Sequence, residues 1–297
     1  YNQYGNKPTT FVTVANLIAD TVLDYSAARF ADKVEPGNII EAQGFRYVVA
    51  DSGVSNHHIE TSGNIKLYVL PSENITIEAF GATFSGDESV IAQKMLDAFN
   101  ILRSPKGKTL TVKNIELSNG TVIDIKGTIA LPNYCSDYDR LLYGDGIHSV
   151  DIYISDIDGN ADGQSGFLGT HLLYFARMAN STIRIGSSRT HYIADGFIPT
   201  DVDNTGREAY TGAHWFYQCK NVHMDIGYLE GWSREGIMFD YSDSCSVALG
   251  HAQSLKGSED SAIQMHGHRN KILRGSADSC GASSFGFDTV DGIVSNV

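Results

Sequence analysis

The sequence predicts a mainly β protein wound as a parallel β-helix, and three observations carry that expectation. First, one phrase returns down the second half of the chain: RLLYGDGIHSVDIYIS at 140–155, HLLYFARMANSTIRIG at 171–186, HWFYQCKNVHMDIG at 214–227, FDYSDSCSVALG at 239–250 and MHGHRNKILRG at 265–275. Each is an apolar cluster, a small polar turn and an alternating stretch that ends near Gly or Ser. Three phrase ends, Gly227, Gly250 and Gly275, lie 23 and 25 residues apart, a period that indicates stacked supersecondary units. Second, pairs such as Ile152 with Ile154 and Ile183 with Ile185 alternate with period 2, so the units are strands. Third, glycine is abundant at 30 and proline scarce at 6, which suits a solenoid with many tight corners. Equivalent residues of successive coils then sit about 4.8 Å apart.

Residues 1–72 read as a small N-terminal β module. Its first ten residues are polar, and a short helix fits Val14–Ala19. A Pro-Gly turn at 36–37 precedes NIIEAQGFRYVVA, where Phe45, Tyr47 and Val49 share one face. Pro71 marks the boundary. Residues 73–107 read as a strand, ITIEAFGATF, followed by an amphipathic helix. Ser85 and Glu88 fit a capping box, and Val90, Ile91, Met95, Leu96, Phe99 and Leu102 recur at helical spacing. That apolar face is expected to cap the open end of the coils, which otherwise exposes core and strand edges. Residues 108–297 read as the β-helix, with about 24 residues per coil. The extra residues of two longer coils fall at 156–170 and 198–213, and insertions in solenoids emerge as loops on one face, often the binding face.

An excess of 35 acids over 22 bases gives a formal charge of −13, which argues against a nucleic-acid-binding surface. A local arginine patch can still oppose the global sign. The four cysteines show no CxxC pair and read as buried thiols. No apolar run is long enough to insert in a membrane, no metal-ligand spacing stands out, and no cofactor is implied. The chain opens at YNQYGNKP and stops at GIVSNV, inside what reads as the next coil, so a longer protein is expected.

GFRYVVADSGVSNHHIETSGNIKLYVLP followed by ITIEAFGATFSGDESVIAQKMLDAF resembles the opening region of bacteriophage tailspikes, and IDGN at 157–160 is similar to a phrase of their β-helices. The resemblance covers most of residues 15–175. It implies a right-handed, single-stranded, pectate-lyase-like β-helix in a homotrimeric virion protein, joined to other tail or adapter proteins through its N-terminal region. It also implies action outside the cell on a bacterial surface polysaccharide: capsule, exopolysaccharide or O-antigen. It does not assign catalytic residues.

Those come from register. Aligning the segments after each phrase places Asp195, Glu235 and Asp260 at one turn position, so three acids stack on a ridge. Glycoside hydrolysis uses two carboxyl groups, roughly 5–5.5 Å apart for retention and 6.5–9.5 Å for inversion. Neighbouring coils suit the first distance, a two-coil step the upper end of the second. Stacked acids also raise one another's pKa, which keeps one protonated as the general acid. An acid before glycine is equally ordinary turn chemistry. Glu235 with Asp260 is the first pair, Asp195 with Glu235 the second. Trp232, Tyr192 and Tyr210 are candidate platforms for sugar rings, and Arg189, Arg207 and Arg234 are candidates for binding a substrate carboxylate. The expected activity is hydrolytic depolymerisation. The alternatives are a polysaccharide lyase, with a base such as His191, His214 or His266, a non-catalytic receptor-binding spike, and a secreted pectinase-like enzyme.

Overall fold

The computed structural model describes residues 9–27, 32–133, 135, 139–160, 171–189, 213–232, 236–253, 261–278, 285–290 and 293–294. The chain divides into two compact units, Tyr1–Thr83 with Val90–Phe99, and Phe84–Ser89 with Asn100–Val297.

The first unit holds a five-stranded sheet of β1 (Thr9–Phe11), β2 (Ile39–Ala42), β3 (Phe45–Val49), β4 (Ile59–Glu60) and β5 (Lys66–Val69), in the order β1-β2-β3-β5-β4. Helix α1 (Val14–Ile18) starts where expected, and the Thr13 hydroxyl accepts from the Asn16 amide at 3.0 Å, satisfying one free N–H of the first turn. Strands β2 and β3 are joined by Gln43-Gly44, both at positive φ (53° and 83°), the two-residue turn whose twist matches paired strands. Tyr47 is fully enclosed, and its hydroxyl donates to the Ala79 carbonyl at 3.1 Å. Residues 75–84 do not form the expected strand. Ile77–Phe80 is a 3-10 turn closed by Gly81 at φ 92°, and it buries Ile77, Ala79 and Phe80. Helix α2 (Ser89–Phe99) is shorter than its apolar periodicity suggests. The Ser85–Glu88 capping box does not set its start. The Asp87 carboxylate accepts from the Ser89 amide at 2.9 Å, and Glu88 reaches back to the Phe84 amide at 2.9 Å. At its other end Asn100 turns to φ 55°, so Leu102 lies in a strand.

The second unit is a sheet of seventeen strands among the described residues. They are β6 (Ile101–Ser104), β7 (Thr109–Thr111), β8 (Ile115–Glu116), β9 (Val122–Ala130), β10 (Leu142–Asp145), β11 (Asp151–Asp158), β12 (Leu173–Ala176), β13 (Ala179–Arg189), β14 (His214–Tyr217), β15 (Lys220–Glu230), β16 (Ile237–Asp243), β17 (Ser246–Gln253), β18 (Ile263–His268), β19 (Lys271–Arg274), β20 (Ala277–Asp278), β21 (Phe285–Val290) and β22 (Ile293–Val294). Strands pair in parallel with the strand one turn away. Short strands make one column, β8-β10-β12-β14-β16-β18-β21. Long strands make the other, β9-β11-β13-β15-β17. Strands β6 and β7 both pair with β9, and β19 and β20 both pair with β17. This is the pairing pattern of a β-helix.

The two columns define three corners per turn. Between a short strand and the next long one the chain uses a tight turn with two left-handed residues: Gly146 and Ser149, Arg177 and Asn180, Gln218 and Asn221, Tyr241 and Ser244. The second corner lies inside each long strand. In β13 the buried positions run Ser181, Ile183, Ile185 and then Ser188, and in β15 Val222, Met224, Ile226 and then Leu229. This slip from period 2 to 3 turns the strand onto a new face. Gly186 and Gly227 stand at the slip, in register with Ser155 below and Gly250 above. A Cβ there would lie 2.4 Å from the Ser155 carbonyl oxygen for Gly186, 2.5 Å from that of Gly186 for Gly227, and 2.2 Å from that of Gly227 for Gly250. Backbone fills the space, so glycine is required on steric grounds alone. Ser155 is accommodated beside a register shift against β9.

Inside the coils, like residues stack on like. Ile123, Ile152 and Ile183 share one register row, and Ile125, Ile154, Ile185 and Ile226 share the next. Phe175, Phe216 and Phe239 form an aromatic column, the last two with ring centroids 4.4 Å apart and nearly parallel. Each such buried side chain contributes about 1.5–3 kcal/mol of transfer free energy. At the first corner, buried polar groups serve the turn: Ser242 accepts from the Cys219 amide at 3.0 Å and Asn270 from the Cys245 amide at 2.9 Å. Cys135, Cys219 and Cys245 are buried free thiols, and burial pushes Cys219 up to about 12 and Cys245 to about 11.

One outer pair gives the fold a measurable acid sensitivity. Arg269 grips Asp243 through Nε at 2.9 Å and through Nη2, and Ser244 adds a hydroxyl at 3.0 Å. The arginine hydrogen bond holds the carboxyl below its ordinary value. The folded chain therefore binds fewer protons here than the unfolded chain. The pair's contribution is complete above the ordinary carboxylate pKa and is lost as pH falls through the folded value. The pair is exposed, so the effect is small, about 0.2–1 kcal/mol. Thermal melts of Asp243→Asn should sit below wild type at pH 7, and the gap should narrow as pH falls below the ordinary carboxylate range. A constant gap across that range would refute the assignment.

Candidate functional site

The third corner lies where each long strand hands over to the next short one, and it carries the long connections. Leu173 and His214 are register partners although 41 residues separate them, and Leu142 pairs with Leu173 across 31. The later steps, His214 to Ile237 and Ile237 to Ile263, are 23 and 26. The other corners resist insertion: the first is a tight left-handed turn, the second a column where even a methyl group clashes. Chain length can vary only where neither constraint acts.

All three catalytic candidates belong to this corner's connections. Asp195 falls in the β13–β14 connection, Glu235 between β15 and β16, and Asp260 between β17 and β18. They lie outside the described residues, as do Tyr192, Arg207, Tyr210 and Arg234. The strand ends that flank them are described. On the outer face leading into the corner, Asp156, Ser187, Tyr228 and His251 form one register row. Arg189 stands 3.8 Å from Asp156, with its guanidinium 5.9 Å from the Tyr228 ring centre. Asp156 also accepts from Ser187 Oγ and, at 3.2 Å, from Thr128. Arg189 is thus part of a surface network rather than an unengaged cation, while its side chain keeps 55% exposure.

Tyr228 and His251 stack at 6.0 Å with 18° between planes. The Tyr228 hydroxyl donates to Gln253 Oε1 at 3.1 Å. Burial raises its pKa, and the nearby Glu230 carboxylate adds to the rise. His251 shares a 2.9 Å hydrogen bond with Ser276 through Nδ1 and lies 3.7 Å from Asp278 through Nε2. The result is a ladder of flat rings edged by Glu230 and Asp278. Rings present apolar faces to sugar C–H groups, and carboxylates accept sugar hydroxyls. Tyr228, Glu230, His251 and Asp278 are not among the candidates that the sequence singles out. Their signal was their place after the glycines that end the repeated phrase: Tyr228 and His251 stand one residue after Gly227 and Gly250, and Glu230 and Asp278 three residues after Gly227 and Gly275.

Trp232 requires a correction. Expected as a sugar platform, it is 1% exposed and among the largest enclosed side chains. The chain turns at Gly231, φ 76°, and the indole lies against Gly236, where a Cβ would be 3.4 Å from its Cδ2. A platform must offer a ring face to solvent, and this ring offers none. His214, a base candidate in the lyase reading, is also enclosed, with Nε2 3.1 Å from the buried Ser188 hydroxyl. His266 is part-exposed on the short-strand face. Its Nδ1 is 3.2 Å from Asp240 and its Nε2 2.8 Å from the Gln264 amide. The Asp158 carboxylate accepts from the Asn160 amide at 2.7 Å, so it is engaged with the backbone just past the end of β11. Among the described residues no group of three or more His, Cys, Asp or Glu could hold a metal ion, and no helix is long and apolar enough to cross a membrane.

No protein-family description and no curated protein matches the chain. Among solved structures it is similar to a candidate glycosyl hydrolase from Parabacteroides merdae, at TM-score 0.42 and 11% identity over 74% of this chain and 95% of that one. It is similar to full-length tailspike protein 2 from Escherichia coli O157:H7 bacteriophage CAB120, at TM-score 0.26 and 13% identity over 99% of this chain and 52% of the other. It is also similar to the enzymatically active domain of tailspike protein 2 from bacteriophage CBA120, at TM-score 0.26 and 13% identity over 98% and 57%. The chain spans about half the length of the two tailspike chains. Likeness at this level carries no functional argument.

Proposed function

We propose that this chain is part of a phage tailspike that binds a bacterial surface polysaccharide along the third corner and hydrolyses its glycosidic bonds. The observation that carries the reading is the confinement of the long connections to one corner, beside a ladder of rings and carboxylates. Glu235 and Asp260 are the proposed carboxyl pair, with Asp195 as the alternative partner of Glu235. Arg189, Tyr228, Glu230 and His251 are the proposed flank that orients the polymer, joined by Tyr192, Arg207, Tyr210 and Arg234 from the connections. The reading includes right-handed winding at about 24 residues per coil, a homotrimer attached to other tail proteins through its N-terminal region, and action outside the host cell.

The test is size-exclusion chromatography of capsular and O-antigen polysaccharides before and after incubation with the protein. Shortening of a polymer with a new reducing end at each break supports hydrolysis. Shortening with an unsaturated uronate at the new end replaces hydrolysis by β-elimination. Retention of polymer without shortening leaves a receptor-binding spike and returns the acids of the ridge to turn chemistry.

A further inference from the structure

Among the described residues, every arginine but one is paired with a carboxylate. Arg46, Arg103, Arg177, Arg184, Arg189, Arg269 and Arg274 each lie within 4.0 Å of an Asp or Glu oxygen. The exception is Arg140. Its guanidinium carbon lies over the Tyr174 ring, 3.8 Å from its centre. Among the described residues, the carboxylates beside it in the sequence and in the coil below are engaged by other groups. Asp139 is buried and accepts from Lys113 Nζ at 2.9 Å and Asn114 Nδ2 at 2.6 Å. Glu116 accepts from the Tyr143 hydroxyl at 3.2 Å. In a chain of net charge −13, an unpaired and half-buried guanidinium is a specific departure.

Its setting is built rather than incidental. Asn114 clamps the Arg140 backbone from both sides, accepting from its amide at 3.0 Å and donating to its carbonyl at 2.5 Å. Tyr143, Tyr174 and Trp215 occupy one register row of the short-strand face. Tyr174 meets Trp215 edge to face at 5.7 Å, and His171 closes the group at 4.7 Å from Trp215. Burial presses the arginine's pKa down, and the phenols of Tyr174 and Tyr143 oppose it; among the described residues no carboxylate adds to them. One face of the guanidinium is spent on the ring, while its N–H edge keeps the fork geometry that matches a carboxylate bidentately. Arg140 stands two residues before β10, at the third corner, one coil before the first long connection.

We infer that Arg140, stacked on Tyr174 beside Tyr143 and Trp215, is the recognition site for the carboxylate of an acidic sugar unit. This rests on the polysaccharide reading above and deepens it: the polymer is anionic, and its acid group is read on the short-strand face. The rings take the apolar face of the same or the adjoining sugar.

The test uses uronate-bearing bacterial capsular polysaccharides, each also prepared with its carboxyls chemically reduced to neutral alcohols. Binding is measured for wild type, Arg140→Gln and Arg140→Lys, with folding checked by circular dichroism. Arg140→Gln should weaken binding to an acidic polymer about 10–100-fold. Arg140→Lys should fall between, because it keeps charge and loses the fork. Reducing the carboxyls should weaken wild type by a similar factor and abolish the difference between wild type and Arg140→Gln. If Arg140→Gln loses equally on acidic and reduced polymers, or binds both like wild type, the inference is overturned and the polysaccharide reading stands. If wild type binds no polymer in either form, both are overturned.

Discussion

Gly250→Ala is expected to lower the stability of the coil by about 3 kcal/mol or more, at the upper end of the range for overpacking. The added methyl would sit 2.2 Å from the Gly227 carbonyl oxygen and 3.1 Å from its carbonyl carbon. Neither is the end of a flexible side chain. Both belong to a backbone pinned by parallel pairing, since β17 is bonded to β15 on one side and to β19 and β20 on the other. Relief would therefore require separating two coils. Gly227→Ala, at 2.5 Å from the Gly186 oxygen, should behave alike. The control is Gly86→Ala, which meets nothing within 4 Å and should stay within about 0.5 kcal/mol of wild type. At the usual size scaling the loss at Gly250 shifts the melting temperature by roughly 6–12 °C. A variant at Gly250 that melts with wild type would show that the column is not a steric constraint.

Glu235→Gln and Asp260→Asn should each reduce depolymerisation by about 10²–10⁴-fold while leaving polymer binding within a few-fold of wild type. A missing acid or nucleophile acts on the barrier, whereas binding is spread over the flanking rings and cations. The double variant should be scarcely slower than the slower single variant, because two groups that act as a unit are strongly non-additive. Rates come from the appearance of new reducing ends, binding from retention of the same polymer. Asp195→Asn reports which neighbour completes the pair: a full loss there with an active Asp260→Asn moves the site down one coil. Full activity in all three variants would remove the carboxyl pair from the mechanism.

The coil was legible in the sequence because its core is periodic. Ile152 with Ile154 and Ile183 with Ile185 alternate on one face, and both pairs fall in register, as do Gly227 and Gly250. The terminal glycines of the repeated phrase read as ends of strands, yet Gly227 and Gly250 lie within long strands at their bends, and only Gly275 falls in a break, between β19 and β20. Periodicity reports that a glycine recurs; the carbonyl oxygen beneath it, which makes glycine necessary, belongs to another coil. The short elements were less legible for a similar reason. ITIEAF has the composition of a strand, and the left-handed cap at Gly81 converts it to a 3-10 turn. Leu102 keeps helical spacing with Phe99, and Asn100 at positive φ ends the helix between them. At the candidate site the ring ladder of Tyr228 and His251 depends on stacking across a gap of 23 residues, which local pattern does not display. Trp232 misled because a tryptophan beside Arg234 and Glu235 suggests an exposed platform, whereas Gly231 turns it inward. Arg140 escaped notice because its distinction is the absence of a partner, a property of the fold alone.

The division of labour among the corners bears on how such a protein can change. Two corners are bound to the backbone spacing of the stack, so substitutions there are filtered by folding before any ligand is met. The third is free of both constraints. The segments at 159–172 and 190–213 are where length can change without disturbing the register, whereas the glycine column has no room for an added methyl. The register of the coils acts as a grammar within which those segments could be rewritten without unmaking the stack.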